Sequence, residues 1–476
     1  MDGLIQIIAR LFTGVFRISA LAVGGMLLVF PAFKGMWLGY VPLAVGGLLL
    51  YALYRFHPVL FRLLGPMSER AFIALICLVP AVMQLALIMF FRSAPTFDGY
   101  FVYREAVTLA ETGRMHPLTY YAPAQIWYFA FFFKIFGPSP LVAQICQIPL
   151  AALIPLVSYA IGCRVASRDR ARLAAVLVAL YPGLLLYVLV TPYYFYMYTL
   201  ATLMIVWSWL RVAQGENVWR SAVYGGLAAG WGALTKATLL VAPLQTIFFW
   251  VVTAGTVKGT RRWLAWLLFI AVMAGVVAPW TLRNHRVFGE TVLINTSGPL
   301  VFYSANNPES DGLYSPLPDQ ARVETPKEML AHMAWCNEQA WDFIREHPAS
   351  FARLVWLKLL HTWGTETTFV ELINRDGAPL GWLDPALRFL VQIGWAALVF
   401  LWVYRAAGAL WYRLPPSMLE IATGIFVLSK FLIYSVYEGG ARHHMPIILL
   451  LTLYGMAAKI PDLSKRGKDL RLEGGP

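Results

Sequence analysis

About a dozen apolar runs follow one another along this chain, each roughly 17–25 residues long and so able to cross a hydrocarbon core about 30 Å thick. They lie at 8–32, 36–55, 70–92, 140–162, 172–190, 195–211, 218–235, 238–256, 263–281, 384–404, 416–435 and 441–459. Lipid offers no partner to a backbone N–H or C=O, so runs of this length fold as helices that satisfy their own hydrogen bonds. Two weaker segments, 124–137 and 351–363, are too short to cross comfortably and are expected to lie at the interface or to re-enter. With 59% hydrophobic and 13% charged residues over 476 positions, the composition excludes a soluble globular protein. The fold class expected is an all-α polytopic membrane protein.

The formal net charge of +13 does not point to nucleic acid, because Lys and Arg sit in short clusters between apolar runs and form no basic stripe interleaved with aromatics. The clusters run from Arg55 to Arg70, from Arg164 to Arg172, through Arg211 and Arg220, Lys258 to Arg262, Arg405 and Arg413, and into a tail from Lys459 to Arg471. Each falls at an alternate helix end, the cytoplasmic one by the positive-inside rule. The other side then receives 93–139, the link 191–194, the Lys236 turn, 282–383 and the link 438–444. The four cysteines are dispersed and show neither a disulfide framework nor zinc spacing. Residues 1–32 carry no small-residue cleavage site after a short apolar core, which reads as a retained helix. No inverted repeat of the kind seen in secondary transporters stands out.

Residues suited to sugar-phosphate chemistry gather on that non-cytoplasmic side. Asp98 follows a spanning helix and precedes an amphipathic stretch (Val102, Ala106, Leu109, Ala110) that fits an interfacial helix; it reads equally as a helix N-cap or as a catalytic carboxylate. Arg104, Lys236, Arg283, Arg442, His443 and His444 share the face with it. Lys236 is the sharpest, since its flanks are apolar and an ammonium there needs an anion or water; the plainer alternative is a lysine snorkelling at a helix end. Adjacent histidines point to different faces of a helix, which disfavours zinc binding by His443 and His444 alone. No Asp-X-Asp or paired His-carboxylate cluster calls for a metal, and no cofactor is required. Tyr100, Tyr120, Tyr121, Tyr193 and Tyr194 are placed either to stack on a sugar or to join the interfacial belt. Asn306 and Asn307, before Pro308, read locally as a turn, and 318–348 as a soluble helix at the membrane surface.

The order of these motifs resembles that of a known family. An outer-loop Asp98 comes first, then Tyr120-Tyr121-Ala122-Pro123 and Phe136-Gly137-Pro138-Ser139-Pro140. Later come Ala278-Pro279-Trp280-Thr281-Leu282-Arg283-Asn284, Asn295-Thr296-Ser297-Gly298, Ser304-Ala305-Asn306-Asn307-Pro308 and Arg442-His443-His444-Met445-Pro446. Together they resemble the GT-C membrane glycosyltransferases, in the branch containing the lipid A aminoarabinose transferase and protein O-mannosyltransferase, over roughly residues 70–460. The resemblance implies a GT-C bundle of about 12–13 transmembrane helices, with interfacial helices in the first outer loop and a mostly helical periplasmic loop. It divides the chain into two extra helices (1–69), a core with the catalytic loop 93–139 (70–284), a periplasmic loop region (285–383) and C-terminal helices with a basic cytoplasmic tail (384–476).

The resemblance further implies a polyprenyl-phosphate-linked sugar donor, a multi-pass protein of the bacterial inner membrane, and transfer at its periplasmic face. Asp98 matches the family's catalytic position, whereas Gly99 stands where a second acid often follows, so a lipid or glycan acceptor is expected before a protein. The reading that follows is an inverting glycosyltransferase with Asp98 as base. Lys236, Arg283 and Arg442 would hold the donor phosphate, and Arg104, Tyr100, Tyr120, Tyr121, Tyr193, Tyr194, Asn306, Asn307 and His443 would line the substrate. A lipid-linked oligosaccharide polymerase or ligase, and a non-enzymatic lipid-glycan transporter or flippase, are the alternatives.

Overall fold

A computed structural model describes residues 2–91, 94, 95, 97–118, 120–190, 192–253, 259–315, 323–367, 370–373, 380, 381 and 383–457. The described chain is helical, with no strand among the described residues. In chain order the helices are α1 (Asp2–Phe33), α2 (Tyr40–Leu64), α3 (Glu69–Phe90), α4 (Phe97–Thr112), α5 (Pro123–Phe136), α6 (Pro140–Ile145), α7 (Ile148–Val165), α8 (Arg168–Ala179), α9 (Pro182–Leu186) and α10 (Phe195–Ala213). They continue with α11 (Val218–Thr235), α12 (Ala242–Val252), α13 (Gly259–Phe288), α14 (Ser297–Ser304), α15 (Pro326–Glu346), α16 (Pro348–Trp363), α17 (Leu383–Trp411), α18 (Met418–Val436) and α19 (Met445–Ala457). The expected basic tail beyond Lys459 lies outside the described residues.

The protein is thus all-α and polytopic. Among the described residues eight helices are long and apolar enough to cross a membrane, or nine if α8 and α9, bent by 45° at Tyr181-Pro182, make one span. The other expected runs are shorter or broken for local reasons. The run 218–235 is the glycine-rich α11, while 238–256 and 441–459 each spend their first residues on a 3-10 turn before α12 and α19. The weak segments 124–137 and 351–363 are helical, as α5 and α16. The Pro279–Asn284 motif, expected at a loop, lies inside the last turns of α13, which continues to Phe288. Of the surface helix expected over 318–348, residues 318–322 are outside the described residues; the rest is α15, opened by a capping box of Thr325 and Glu328.

Two helix groups meet at a buried centre. In one, α10 packs on α7 and α11, and α11 lies along α13, where a Cβ on Gly226 would meet the Phe269 carbonyl at 2.7 Å and one on Gly230 the Val276 side chain at 2.6 Å. Such close approach of backbones is the usual means of helix association where lipid supplies no hydrophobic drive. In the other group, α1, α2, α17 and α18 pack together. Between them runs α19, apolar on all sides, with Ile447, Ile448, Leu449, Leu450 and Leu451 at most 1% exposed. A helix without a polar face belongs in such a centre.

One end of the bundle is tied by arginines. The Arg172 guanidinium donates to the carbonyls of Leu64 (2.6 Å), Gly65 (3.0 Å) and Met67 (2.8 Å), and Arg164 pairs with Glu216 at 2.8 Å. The basic clusters after α2, α7 and α10 therefore share an end, as the charge pattern requires. Towards the same end, Arg17 of α1 makes a buried two-point ion pair with Glu420 of α18 at 2.6 and 2.9 Å, and Glu420 also closes the capping box with Ser417. Removing one member of a buried pair leaves an uncompensated charge and costs about 3–5 kcal/mol. Arg17→Met is therefore expected to lower the thermal midpoint of the detergent-solubilised protein by several degrees; an unchanged midpoint would show that the N-terminal helix contributes nothing to the bundle through this pair.

Candidate functional site

The end of the bundle remote from these arginines holds a cavity of about 1440 Å³. Its chemistry begins at Asp98, in the first turn of α4. Among the described residues its partners are two phenols: Tyr121 donates to Oδ1 at 2.8 Å and Tyr193 to Oδ2 at 3.2 Å. The carboxylate is thereby fixed by side chains from the α4–α5 loop and from the link before α10, each oxygen keeping a lone-pair direction free. Burial, and then the neighbouring Asp98 charge, push the Tyr121 hydroxyl well above its ordinary pKa, so it stays a donor.

The Pro279–Asn284 motif explains why Tyr121 is where it is. Trp280 donates to the Ile294 carbonyl at 2.7 Å, and Asn284, fully buried, donates to Val292 at 3.0 Å and Ile294 at 3.1 Å. This holds the chain after α13 along the helix end. Asn295 then donates to the Tyr120 carbonyl at 3.0 Å. Arg283 donates to the carbonyls of His116 at 2.8 Å and Pro117 at 3.2 Å. The motif is thus a clamp on the first outer loop.

Two cations face the same cavity. Lys236 leaves the end of α11 in extended conformation, reaches the Tyr194 hydroxyl at 2.6 Å and lies over that ring. Burial, then the nearby Arg442, lower its ammonium from the usual lysine range to about 8. Arg442 stands on the 3-10 turn Ala441–His443 and pairs with Glu438. Burial raises the Glu438 carboxyl, but Arg442, His443 and Lys236 outweigh it and hold it ionised, well below its ordinary value. The turn is shaped by Gly439, whose N–H donates to the Gly312 carbonyl at 2.8 Å; a Cβ there would meet the Lys358 carbonyl at 2.6 Å.

Of the residues expected at the site, Asp98, Tyr120, Tyr121, Tyr193, Tyr194, Lys236, Arg442 and His443 line this one cavity. His443 stacks on Tyr434 with centroids 3.9 Å apart, whereas His444 turns away to Glu366 and stacks on Trp395, so the two histidines do point apart. Others are placed elsewhere. Arg283 spends its guanidinium on the loop carbonyls described above, outside the cavity lining. Arg104 lies over the exposed Tyr100 ring on the outer face of α4. Asn306, fully buried, accepts from Lys358 at 2.6 Å and donates to the carbonyls of Phe302 and Val436, and Asn307 closes a turn with Glu309. Asn306 thereby ties its loop to α16 and to the end of α18, while Asn307 bonds within the loop and to the end of α14. Sequence reading missed Glu438, Tyr434, Gln125 and Tyr314 as lining residues. An acid four residues before Arg442 is the one signal that marked Glu438.

Residues 116–282 match the family model of dolichyl-phosphate-mannose-protein mannosyltransferase, about a third of the chain, beginning downstream of Asp98 and taking in Tyr121, Tyr193, Lys236 and most of the α13 motif. The resemblance to the GT-C membrane glycosyltransferases is shown over that stretch. No curated protein matches. Among solved structures the chain is similar to the archaeal oligosaccharyltransferase AglB from Archaeoglobus fulgidus in complex with an inhibitory peptide and a dolichol-phosphate (16% identity, 82% of this chain and 50% of that one, TM-score 0.48). It is also similar to ArnT from Cupriavidus metallidurans bound to undecaprenyl phosphate (16% identity, 82% and 77%, TM-score 0.38). The chain spans about half the length of the archaeal oligosaccharyltransferase it matches.

The clamp has a direct test. Arg283→Met removes two charge-assisted hydrogen bonds from the outer loop, a local loss of about 1.5–3 kcal/mol each. Trypsin cleavage at Arg114 of the folded protein is expected to accelerate by roughly tenfold or more. An unchanged cleavage rate would remove Arg283 from the clamp.

Proposed function

We propose that this protein is an inverting glycosyltransferase that moves a sugar from a polyprenyl phosphate to a hydroxyl of a lipid or glycan acceptor at the periplasmic face of a bacterial inner membrane. The observation that carries the reading is the union, in one cavity at the end away from the basic clusters, of a carboxylate held by two phenols with two cations from separate segments. The family matched over 116–282 is named for a lipid-phosphate-linked mannose donor, which supports a donor of this class.

The chemistry follows from charge. Transfer breaks the bond between the anomeric carbon and a phosphodiester oxygen, and the leaving polyprenyl phosphate gains a negative charge. Such a leaving group is already a weak base, so fixed cations stabilise it more than a general acid does. Lys236 offers a point charge and Arg442 a planar fork for the phosphate oxygens. Arg283, occupied with the outer loop, has no part in holding it. On the other side of the anomeric carbon the acceptor hydroxyl loses its proton as it attacks, and Asp98 takes it. Attack opposite the leaving phosphate through an oxocarbenium-like centre inverts the configuration. Glu438 holds Arg442 and keeps its guanidinium facing the cavity.

A general base contributes about 10²–10⁴-fold, so Asp98→Asn, which keeps the shape and one oxygen to accept from a phenol while its NH2 donates to the other, is expected to lower kcat by at least about a hundredfold while leaving undecaprenyl phosphate bound. Transfer at the wild-type rate would rule out the base. The Lys236 ammonium is charged below about pH 8 and neutral above it. Affinity for a polyprenyl phosphate is therefore expected to be full on the acid side and to fall as pH rises through that value. Lys236→Arg, never deprotonated in this range, should flatten the profile, and a wild-type affinity independent of pH from 7 to 10 would contradict the assignment. Since the phosphate charge is met by side chains, turnover is expected to persist in excess chelator; its abolition, with restoration by a divalent cation, would require a metal in the scheme.

A further inference from the structure

A cavity of about 1440 Å³ exceeds the roughly 300–1,000 Å³ of a pocket for one small ligand. From the wall bearing Lys236 and Arg442 it continues to a second wall, built by the turn after α1, the end of α16 and the start of α17. The two walls differ in what they leave unmatched. On the second, Arg388 is already paired, with Glu371 at 2.9 Å and with Asp384 at 2.7 Å. Lys34, exposed at the mouth, lies over the Phe33 ring, and the buried groups left over are neutral hydrogen-bonding ones.

His361, in the last turn of α16, is 7% exposed and lines this wall. Phe30 and Phe33 of α1 hold its ring edge-on, with centroids at 6.1 and 6.0 Å, and neither ring nitrogen has a hydrogen-bond partner among the described residues. Burial, then Lys34, lower it to about 4, so it is the neutral imidazole, one donor and one acceptor. Gln392 of α17, 8% exposed, spends Oε1 on the Glu366 N–H at 3.0 Å and the Thr365 hydroxyl at 3.3 Å, which leaves Nε2 without a partner among the described residues. Both side chains are largely buried yet open onto the cavity, where a ligand carrying donors and acceptors can meet them. At the rim, Trp37 is 72% exposed with its ring against Tyr40, and Leu38 is 84% exposed, an apolar path from the bilayer.

We infer that this second wall is the acceptor subsite, and that it takes an uncharged, hydroxyl-bearing head, a sugar carried on an apolar chain, between the turn after α1 and α17. The inference rests on the transferase reading of the first wall. It gives the two N-terminal helices a role: their turn completes the acceptor side of the cavity. Charge sorts the two substrates. An anionic phosphate is drawn to Lys236 and Arg442, whereas a hydroxyl head exchanges its water for His361 and Gln392 without burying a charge.

Protein in nanodiscs is to be titrated with tritiated dodecyl β-D-glucoside as the probe of the second wall and with undecaprenyl phosphate as the probe of the first. Loss of one buried hydrogen bond corresponds to about tenfold in affinity. His361→Phe and Gln392→Leu are each expected to weaken glucoside binding by about that factor and undecaprenyl phosphate binding by less than about twofold, while saturating undecaprenyl phosphate leaves the glucoside bound. The inference is overturned if the two probes displace each other, if neither substitution changes glucoside affinity, or if both substitutions abolish binding of both probes. If undecaprenyl phosphate fails to bind the wild type while the glucoside binds and responds to both substitutions, the subsite stands and the transferase reading fails.

Discussion

The account depends on a cavity at the edge of a bilayer in which a carboxylate and two cations are kept close without neutralising one another. Charged groups in such surroundings are costly, and they persist only where hydrogen bonds meet them. Asp98 is met by Tyr121 and Tyr193, Lys236 by Tyr194, and Arg442 by Glu438, four contacts whose partners come from the outer loop, the link before α10 and the link before α19. Asp98 and Lys236 are satisfied by neutral phenols, so their charges remain available to a substrate. Arg442 is the exception, held by an acid, and its fork is the more oriented for it.

The rest of the bundle serves to bring those segments to one place. Glycines let α11 lie against α13, which carries the Trp280, Arg283 and Asn284 clamp, and the clamp sets the loop that bears Tyr121. On the other side, Lys358 is buried against Asn306 and the Val436 carbonyl, tying α16 to the loop before α15 and to the end of α18, next to Glu438. The site is therefore assembled from regions far apart in sequence, and the α13 clamp reaches Asp98 through the Asn295–Tyr120 and Tyr121–Asp98 hydrogen bonds.

Much of this was legible in the chain. The length of the apolar runs forced helices, the alternation of basic clusters chose the side, and polar residues on the other side marked the outer loops. Asp98, Lys236 and Arg442 stood out because an ionisable group beside apolar flanks needs a reason. What stayed hidden was the direction of each side chain. Arg283 and Asn306 share the composition of ligand-binding residues, yet their hydrogen bonds go to backbone and to Lys358, a pairing set by packing that no spacing in the sequence encodes. Glu438 carries no mark of burial in the sequence, and only the packing of α18 and α19 buries it. Helix counts suffered for a similar reason. The runs near 240 and 445 are interrupted where backbone turns to line the cavity, and irregular backbone at such depth is tolerated only in that setting.

The most direct measurement is an experimental structure of the protein with undecaprenyl phosphate in a lipid environment. The phosphate is expected within hydrogen-bond distance of both Lys236 and Arg442, in the same cavity as the Asp98 carboxylate, with its apolar chain leaving towards the bilayer. A phosphate seated away from these cations, or at the arginine-rich end near Arg164 and Arg172, would contradict the central claim.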